Sequence, residues 1–280
     1  MSKNDSKFQV KFMSFMFKGK EIFKPLNTGF IDDRVSCIRE YVANIYFYTK
    51  DGHTIMIDAG YNYDRLAEKM QWLKINPKEI KEILVTHQDT DHVGAIEKGS
   101  GKVENEYLEG RKHRKVFWGL TTLPQVIIKN PKILVEDGQI FYIGNIKIEA
   151  FLVPGHTWGH LVYLVDDCYL FTGDTIWLGA DGGYAFLNTL AEDRKLQCQS
   201  LQRLKEILVK RNLQLKIITG HTGWTDDFDF VFAHSDEICN SMRRKPKVHD
   251  PKAPYDGFDE SEDTEENARS GYLAQCYKAI

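Results

Sequence analysis

Short apolar runs separated by glycine and polar turns predict that much of this chain folds as β-strands. The run at 43–48 is rich in β-branched and aromatic side chains, and the Asp51-Gly52 pair after it is typical of a hairpin turn. By the same criteria we predict strands at residues 10–17, 21–23, 37–38, 43–48, 54–57, 80–85, 116–118, 133–136, 139–143, 146–153, 162–165, 169–171 and 217–218.

Apolar residues at helical spacing predict several helices between these strands. Helices are expected at residues 63–73, in a short segment capped by Asn76, at 93–97, in a long helix starting near Ala191, and at 228–242. Two strand-rich halves, each followed by helices, fit an α/β fold built as a four-layer αββα sandwich. We predict that this domain spans residues 1–245.

The C-terminal segment 246–280 has a different composition. Between Asp250 and Asn267 it holds eight acidic residues against one lysine, so it has little apolar surface to bury. Residues 265–280 are again compatible with a helix. We expect an acidic linker and a terminal helix that packs on the body, or on a second subunit in a possible homodimer.

A cluster of polar side chains follows the apolar run 80–85. His87, Asp89, Asp91 and His92 lie within six residues, directly after this predicted strand. Imidazole nitrogens and carboxylate oxygens are the usual protein ligands of zinc, iron and manganese. The segment therefore predicts a metal-binding turn.

Three later segments repeat the order of apolar strand, glycine and candidate ligand. They end in Gly155-His156, Gly173-Asp174 and Gly220-His221. A glycine lets the chain turn sharply at the end of a strand, where open-sheet proteins build their sites. Seven side chains are thus candidate ligands, namely His87, Asp89, Asp91, His92, His156, Asp174 and His221.

These segments resemble the metallo-β-lactamase fold superfamily over most of residues 8 to 245. Its usual signature is Thr-His-x-His-x-Asp-His, followed by Gly-His-Thr, Gly-Asp and Gly-His, and the chain carries these at 86–92, 155–157, 173–174 and 220–221. The turn at 57–60 matches the Asp-x-Gly of the family, whose aspartate, here Asp58, supports the metal loop without binding metal. The resemblance implies the αββα sandwich and a centre of two divalent ions.

By this resemblance, His87, Asp89 and His156 hold the first ion, Asp91, His92 and His221 hold the second, and Asp174 bridges both. Asp89 departs from the common signature, because it stands where the family usually has its second histidine. The extra carboxylate makes the centre more negative and favours harder ions. We expect zinc first, with iron or manganese as alternatives.

Such a centre is expected to hydrolyse a small-molecule ester, lactone or thioester through a hydroxide shared by the two ions. Asp91 is a candidate catalytic residue that orients this nucleophile and moves its proton. Tyr184 resembles the tyrosine with which quorum-quenching lactonases of this fold hydrogen-bond an oxyanion, and together with Trp177 and Phe186 it forms either a substrate wall or part of the core. A di-iron protein that binds or reduces oxygen, and a phosphodiesterase, remain the alternatives.

Composition excludes several partners. The net charge of −3 gives no reason to expect a nucleic-acid surface, and the basic stretch at 110–115 is expected to be a solvated loop. The five cysteines form no Cys-x-x-Cys pair, and no apolar run is long enough for a signal or a membrane span. We therefore expect a cytoplasmic enzyme without nucleic-acid or membrane partners.

Overall fold

Sixteen strands form the framework of the part of the chain that the structure describes. The computed structural model describes Lys11 and residues 23–95, 111–123, 126–128, 133–238 and 259–275. In chain order the strands are β1 Gly29–Phe30, β2 Val35–Glu40, β3 Ala43–Lys50, β4 His53–Ile57, β5 Ile83–Leu84, β6 Lys115–Val116, β7 Thr121–Thr122, β8 Ile140–Ile143, β9 Ile146–Leu152, β10 Leu161–Val165, β11 Tyr169–Phe171, β12 Ile176–Gly179, β13 Gly182–Ala185, β14 Lys216–Ile218, β15 Trp224–Thr225 and β16 His234–Ile238.

Two large sheets contain most of these strands. The first has the order β1-β2-β3-β4-β5, and the second has the order β15-β14-β11-β10-β9-β8. Most neighbouring strands are antiparallel, but β4 runs parallel to β5, and β11 runs parallel to β14. Because parallel strands end at the same edge of a sheet, these two pairs bring four chain segments to shared edges.

Apolar side chains from both sheets fill the space between them. Val35 and Tyr46 of the first sheet pack in one cluster with Ile148 and Tyr163 of the second. These side chains alternate with residues that face the helices, as the two-residue period of a strand requires. The cluster joins the two halves of the chain into one core.

The described helices are α1 Tyr63–Trp72, α2 Thr90–Val93, α3 Arg194–Arg211, α4 Phe228–Val231 and α5 Glu265–Ala268, with a 3-10 turn at Pro77–Glu79. Asn62 caps α1 by accepting from the amides of Asp64 and Arg65, and Asp193 caps α3 by accepting from the amide of Leu196. None of the described helices is long and apolar enough to cross a membrane.

One helix covers the outer face of each sheet. Leu66 and Met70 of α1 pack against Phe47 of the first sheet, and Leu201 of α3 packs in a cluster with Leu164 of the second. The order is therefore helix, sheet, sheet, helix. The predicted α/β fold with an αββα sandwich is confirmed.

Several predicted elements differ in extent. The strand expected at 116–118 ends at Val116, because Phe117 and Trp118 both have positive φ and turn the chain into β7. Residues 133–136 form no strand. Helix α2 spans Thr90–Val93, so of the described residues in the helix expected at 93–97 it contains Val93, and residues 96–97 lie outside the described residues. Apart from Lys11, the strand predicted at 10–17 also lies outside them.

The helix expected at 228–242 is wrong for residues 232–238, and residues 239–242 lie outside the described residues. Helix α4 stops at Val231, and the chain continues as β16, which pairs in parallel with β13. The third sheet, β12-β13-β16, thus offers this segment backbone partners that its local apolar pattern does not reveal.

The acidic C-terminal segment contacts the body of the same chain. Glu260 accepts from Arg65 Nη2 at 2.7 Å, and Asp263 accepts from Lys69 Nζ at 2.5 Å. Further along, the amide of Leu273 donates to the carbonyl of Phe30 at 2.7 Å. The segment therefore packs beside α1 and the β1 edge of the first sheet. Helix α5 spans only four of the residues predicted to be helix-compatible.

Candidate metal centre

The seven candidate ligands meet at one edge of the sandwich. His87 follows β5, His156 follows β9, Asp174 follows β11 and His221 follows β14. All seven are buried except Asp91, whose side chain is 16% exposed. The structure brings together every residue that the sequence predicts as a ligand.

Glycines allow two of these ligands to approach closely. Gly173 has a φ of +48°, and a Cβ at this position would lie 2.6 Å from Thr86 Oγ1. A Cβ on Gly220 would lie 2.6 Å from the Oδ1 atom of Asp174. Side chains larger than hydrogen do not fit at either position without movement of the centre.

The first group of ligands surrounds His156. Its Nε2 atom lies 3.3 Å from Asp89 Oδ2 and 3.5 Å from Asp174 Oδ2. The Nε2 atom of His87 lies 3.7 Å from Asp89 Oδ2 and 3.8 Å from Asp174 Oδ2. Four donors at ~2.1 Å from a tetrahedral zinc are separated by about 3.4 Å, so these spacings suit one ion.

The second group surrounds His221. Its Nε2 atom lies 3.3 Å from Asp91 Oδ2, 3.1 Å from Asp174 Oδ2 and 3.4 Å from His92 Nε2. His92 Nε2 also lies 3.2 Å from Asp174 Oδ1. Asp174 therefore contributes an oxygen to both groups, as a bridging ligand must.

Hydrogen bonds on the far ring nitrogens orient the imidazoles. His92 Nδ1 donates to Asp58 Oδ2 at 2.7 Å, and His221 Nδ1 donates to the Val42 carbonyl at 2.6 Å. Each ring then presents the lone pair of its Nε2 atom to the carboxylates. Electron-pair donors this close repel one another unless a cation or a proton lies between them.

His87 gives the sharpest sign that the cluster fits metal ions. Thr86 Oγ1 donates to Asp58 Oδ2 and lies 3.0 Å from His87 Nδ1, which places the ring proton on Nδ1. The Nε2 atom is buried and has no hydrogen-bond partner among the described residues. A buried nitrogen aimed at two carboxylates without a hydrogen bond is what a metal ligand requires.

Burial and charge oppose each other in this cluster. Burial alone would lower the pKa of His92, but the carboxylates of Asp174, Asp58 and Asp91 outweigh it and hold that pKa well above its usual value. Burial, followed by the charge of His92, lowers the pKa of His87 well below its usual value. The carboxylates around His92 therefore favour a positive charge at that imidazole.

His160 supports the centre without joining it. Its Nε2 atom accepts from the amide of Asp174 at 3.1 Å, and its ring stacks on His87 with centroids 4.8 Å apart. Asp58 supports the loop at 86–92, as the family resemblance implies, because it accepts from both the amide and the hydroxyl of Thr86.

Arg114 is the functional residue that sequence reasoning missed. It belongs to the basic stretch 110–115 that was expected to be solvated, yet its side chain is fully buried. Its Nε atom donates to Asp89 Oδ1 at 3.0 Å, and Nη2 donates to the Leu190 carbonyl. The only signal in the sequence was the unusual carboxylate at position 89, which needs a counter-charge when it is buried.

Of the aromatic residues after Asp174, Phe186 and Trp177 are buried in one core cluster, whereas Tyr184 packs at the side of that cluster. Phe186 is buried against the centre, with its ring 5.2 Å from that of His156 and 5.4 Å from that of His221. Tyr184 lies on β13, where its hydroxyl donates to Asp181 Oδ2 at 3.1 Å and its ring stacks on His234. Trp177 is buried in the same core cluster as Phe186.

Comparison with known families agrees with this geometry. The family model of the Metallo-beta-lactamase superfamily matches residues 38–261. The chain belongs to this superfamily. The sequence resemblance noted above is therefore confirmed for the family and the fold.

Curated relatives carry hydrolase names. The chain is 29% identical over 170 residues to the probable polyketide biosynthesis zinc-dependent hydrolase BaeB of Bacillus velezensis, covering 60% of this chain and 67% of the relative. It is 31% identical over 137 residues to the hydroxyacylglutathione hydrolase of Buchnera aphidicola, covering 48% of this chain and 47% of that protein. The hydroxyacylglutathione hydrolase GloC of Haemophilus influenzae is 25% identical over 61% of this chain and 80% of its own length. These relatives bear out the expectation of a metal-dependent hydrolase in this family, and the chain spans about half the length of the Buchnera protein.

Solved structures share the fold. A B3 metallo-beta-lactamase described as the first with an active site glutamic acid superposes with a TM-score of 0.58 at 17% identity, covering 80% of this chain and 90% of that chain. The beta-lactamase from Chitinophaga pinensis superposes with a TM-score of 0.54 at 19% identity, covering 70% of this chain and 78% of that chain. At this level of identity the likeness concerns the fold.

Proposed function

We propose that the protein is a dinuclear zinc-dependent hydrolase whose substrate is a small thioester. The observation that carries the proposal is the pair of ligand groups that share Asp174, with donor spacings of 3.1–3.5 Å around His156 and His221. Relatives named hydroxyacylglutathione hydrolase and zinc-dependent hydrolase support the thioester class and zinc.

Zinc held by these residues would supply an activated water as the nucleophile and a positive charge that polarises the substrate carbonyl. Asp91 is the ligand that solvent reaches, with 16% of its side chain exposed. Asp91 Oδ2 lies 3.3 Å from His221 Nε2 and 3.8 Å from His92 Nε2. We assign to Asp91 the transfer of a proton from the nucleophile to the departing thiolate, because its carboxylate lies at the open side of the centre.

Phe186 and the hydrogen-bond acceptors of His92 and His221 keep this geometry fixed. The Phe186 ring lies against His156 and His221 and excludes water from that side of the centre. Asp58 and the Val42 carbonyl hold the tautomers of His92 and His221, so neither ring has to rotate when an ion binds.

Lactones and oxygen esters are the next substrate classes in this proposal, since the same hydroxide attacks any activated carbonyl. In a lactonase-like reaction Tyr184 would donate to the oxyanion, which requires its hydroxyl to leave Asp181. We also propose a small-molecule substrate and a cytoplasmic location. The net charge of −3 supports the first assignment, and the thiols of Cys168 and Cys198, which form no disulfide, support the second.

Elemental analysis and a substrate panel test the proposal together. Protein purified without chelator is expected to carry two zinc ions per chain and to cleave an S-hydroxyacylglutathione faster than a matched oxygen ester, a γ-lactone or bis(p-nitrophenyl) phosphate. Two irons per chain with oxygen consumption in the presence of an electron donor would replace the proposal with the oxygen-reactive alternative. Preferential cleavage of the phosphodiester would replace it with the phosphodiesterase.

A further inference from the structure

Arg114 is fixed in one orientation beside the first group of ligands. Besides its bonds to Asp89 and the Leu190 carbonyl, its Nη1 atom donates to the Lys115 carbonyl at 3.0 Å. The Nη2 atom lies 3.4 Å from His156 Nε2. A guanidinium held by three nitrogens in a fully buried position has little freedom to move.

The two oxygens of Asp89 have different surroundings. Oδ1 accepts from Arg114 Nε at 3.0 Å and from Gln88 Nε2 at 2.7 Å. Oδ2 faces the Nε2 atoms of His156 and His87. Because Oδ1 is occupied, the carboxylate offers the centre a single donor atom, as an imidazole does.

The charge of Asp89 is also balanced. Arg114 Nε lies 3.0 Å from Asp89 Oδ1, whereas the next carboxylate, that of Glu192, lies 4.0 Å from Nη1. Asp89 is therefore the nearer ion-pair partner of Arg114, and a carboxylate paired with a guanidinium has no net charge, like a neutral imidazole. The counter-charge comes from a loop 25 residues further along the chain.

We propose that Arg114 is a positioning residue that makes Asp89 a neutral, one-atom ligand, so that the pair replaces the second histidine of the common signature. The proposal rests on the two-ion centre proposed above. It implies that the first site keeps the charge and donor number of the histidine version and remains a zinc site, although the carboxylate alone would favour harder ions.

A double-mutant cycle on the metal-free full-length protein tests this pairing. Zinc affinity and stoichiometry are measured by competition with a chromophoric chelator for the wild type, Asp89→His, Arg114→Met and the double variant. Asp89→His alone is expected to weaken zinc binding about 10- to 100-fold. The guanidinium then loses its nearer carboxylate and remains buried beside His156 with the carboxylate of Glu192, which lies 4.0 Å from Nη1. The double variant is expected to recover most of that loss in zinc affinity, since it also removes the positive charge of Arg114.

Lys115→Met is the matched control, because it removes a positive charge from an exposed side chain next to Arg114. Its zinc affinity is expected to equal that of the wild type. If thermal unfolding shows that Arg114→Met does not fold, Arg114→Gln takes its place, since glutamine removes the charge but keeps an amide donor.

Two results would overturn the pairing. In the first, Asp89→His weakens zinc binding equally whether or not Arg114 is present. In the second, the wild type binds one zinc and Arg114→Met binds two, so that Arg114 itself competes for the first site. Fewer than two zinc ions in both the wild type and Arg114→Met would count against the proposed two-ion centre instead. The coupling between Asp89 and Arg114 would then still be measured from the affinity for the one ion that binds.

Discussion

Substitution of Asp263 by alanine should destabilise the whole domain, although Asp263 lies in the acidic segment 246–280. The Asp263 side chain is fully buried and lies 2.5 Å from the ammonium of Lys69, which is 7% exposed. Its other oxygen accepts from the amide of Thr28 at 2.5 Å. Asp263→Ala leaves the Lys69 charge buried without this partner.

The expected loss in the free energy of unfolding depends on the contacts that Lys69 keeps in the variant. Removal of one member of a buried ion pair typically costs about 3–5 kcal/mol. Lys69 still donates to the Arg39 carbonyl at 2.5 Å, and Glu260 lies 3.6 Å away, so the lower end applies. A loss of about 3 kcal/mol corresponds to a fall in Tm of roughly 5 °C for a chain of this size.

Urea unfolding followed by tryptophan fluorescence and thermal unfolding by calorimetry measure this loss. Glu262→Ala is the matched control, because it removes an exposed charge from the same segment and should leave Tm unchanged. Zinc content is expected to be normal in both variants, since neither residue contacts the centre. An Asp263→Ala protein within about 0.5 kcal/mol of the wild type would refute the view that this segment completes the fold.

Four further outcomes are expected. Asp174→Ala should bind fewer than two zinc ions per chain and lose activity, because its carboxylate lies close to both His156 and His221, and full occupancy by elemental analysis would contradict the bridging assignment. Asp58→Ala should weaken zinc binding about 10- to 100-fold in chelator competition while every ligand remains, and unchanged affinity would remove its supporting role. Gly220→Ala should lower zinc occupancy, because its Cβ would lie 2.6 Å from Asp174 Oδ1, and a fully loaded variant would show that the centre tolerates the methyl group. At pH 8, iodoacetamide should label exposed Cys168 before Cys198, as burial raises the pKa of Cys198 to about 11, and peptide mapping with the reverse order would contradict this.

Where several strands begin and end depended on pairing with strands elsewhere in the chain, which the local apolar pattern does not show. Residues 234–238 read as helix from their own apolar spacing, but β13 lies beside them and supplies the hydrogen bonds of a strand. Phe117 and Trp118 read as a continued strand, but the chain turns back there to pair β6 with β7. Long-range pairing outweighed local preference in both places.

The sequence by itself determined the set of candidate ligands and the layered fold. His87, His156, Asp174 and His221 each follow their own strand, so the chain order placed each ligand at a strand end before any packing was known. Only the tertiary structure decided what surrounds that set. The pairing of Asp89 with Arg114 joins segments 25 residues apart, and the ion pair of Lys69 with Asp263 joins segments 194 residues apart. Burial turned these charges from apparent surface residues into parts of the interior, and burial is a property of the folded chain that residue spacing does not encode.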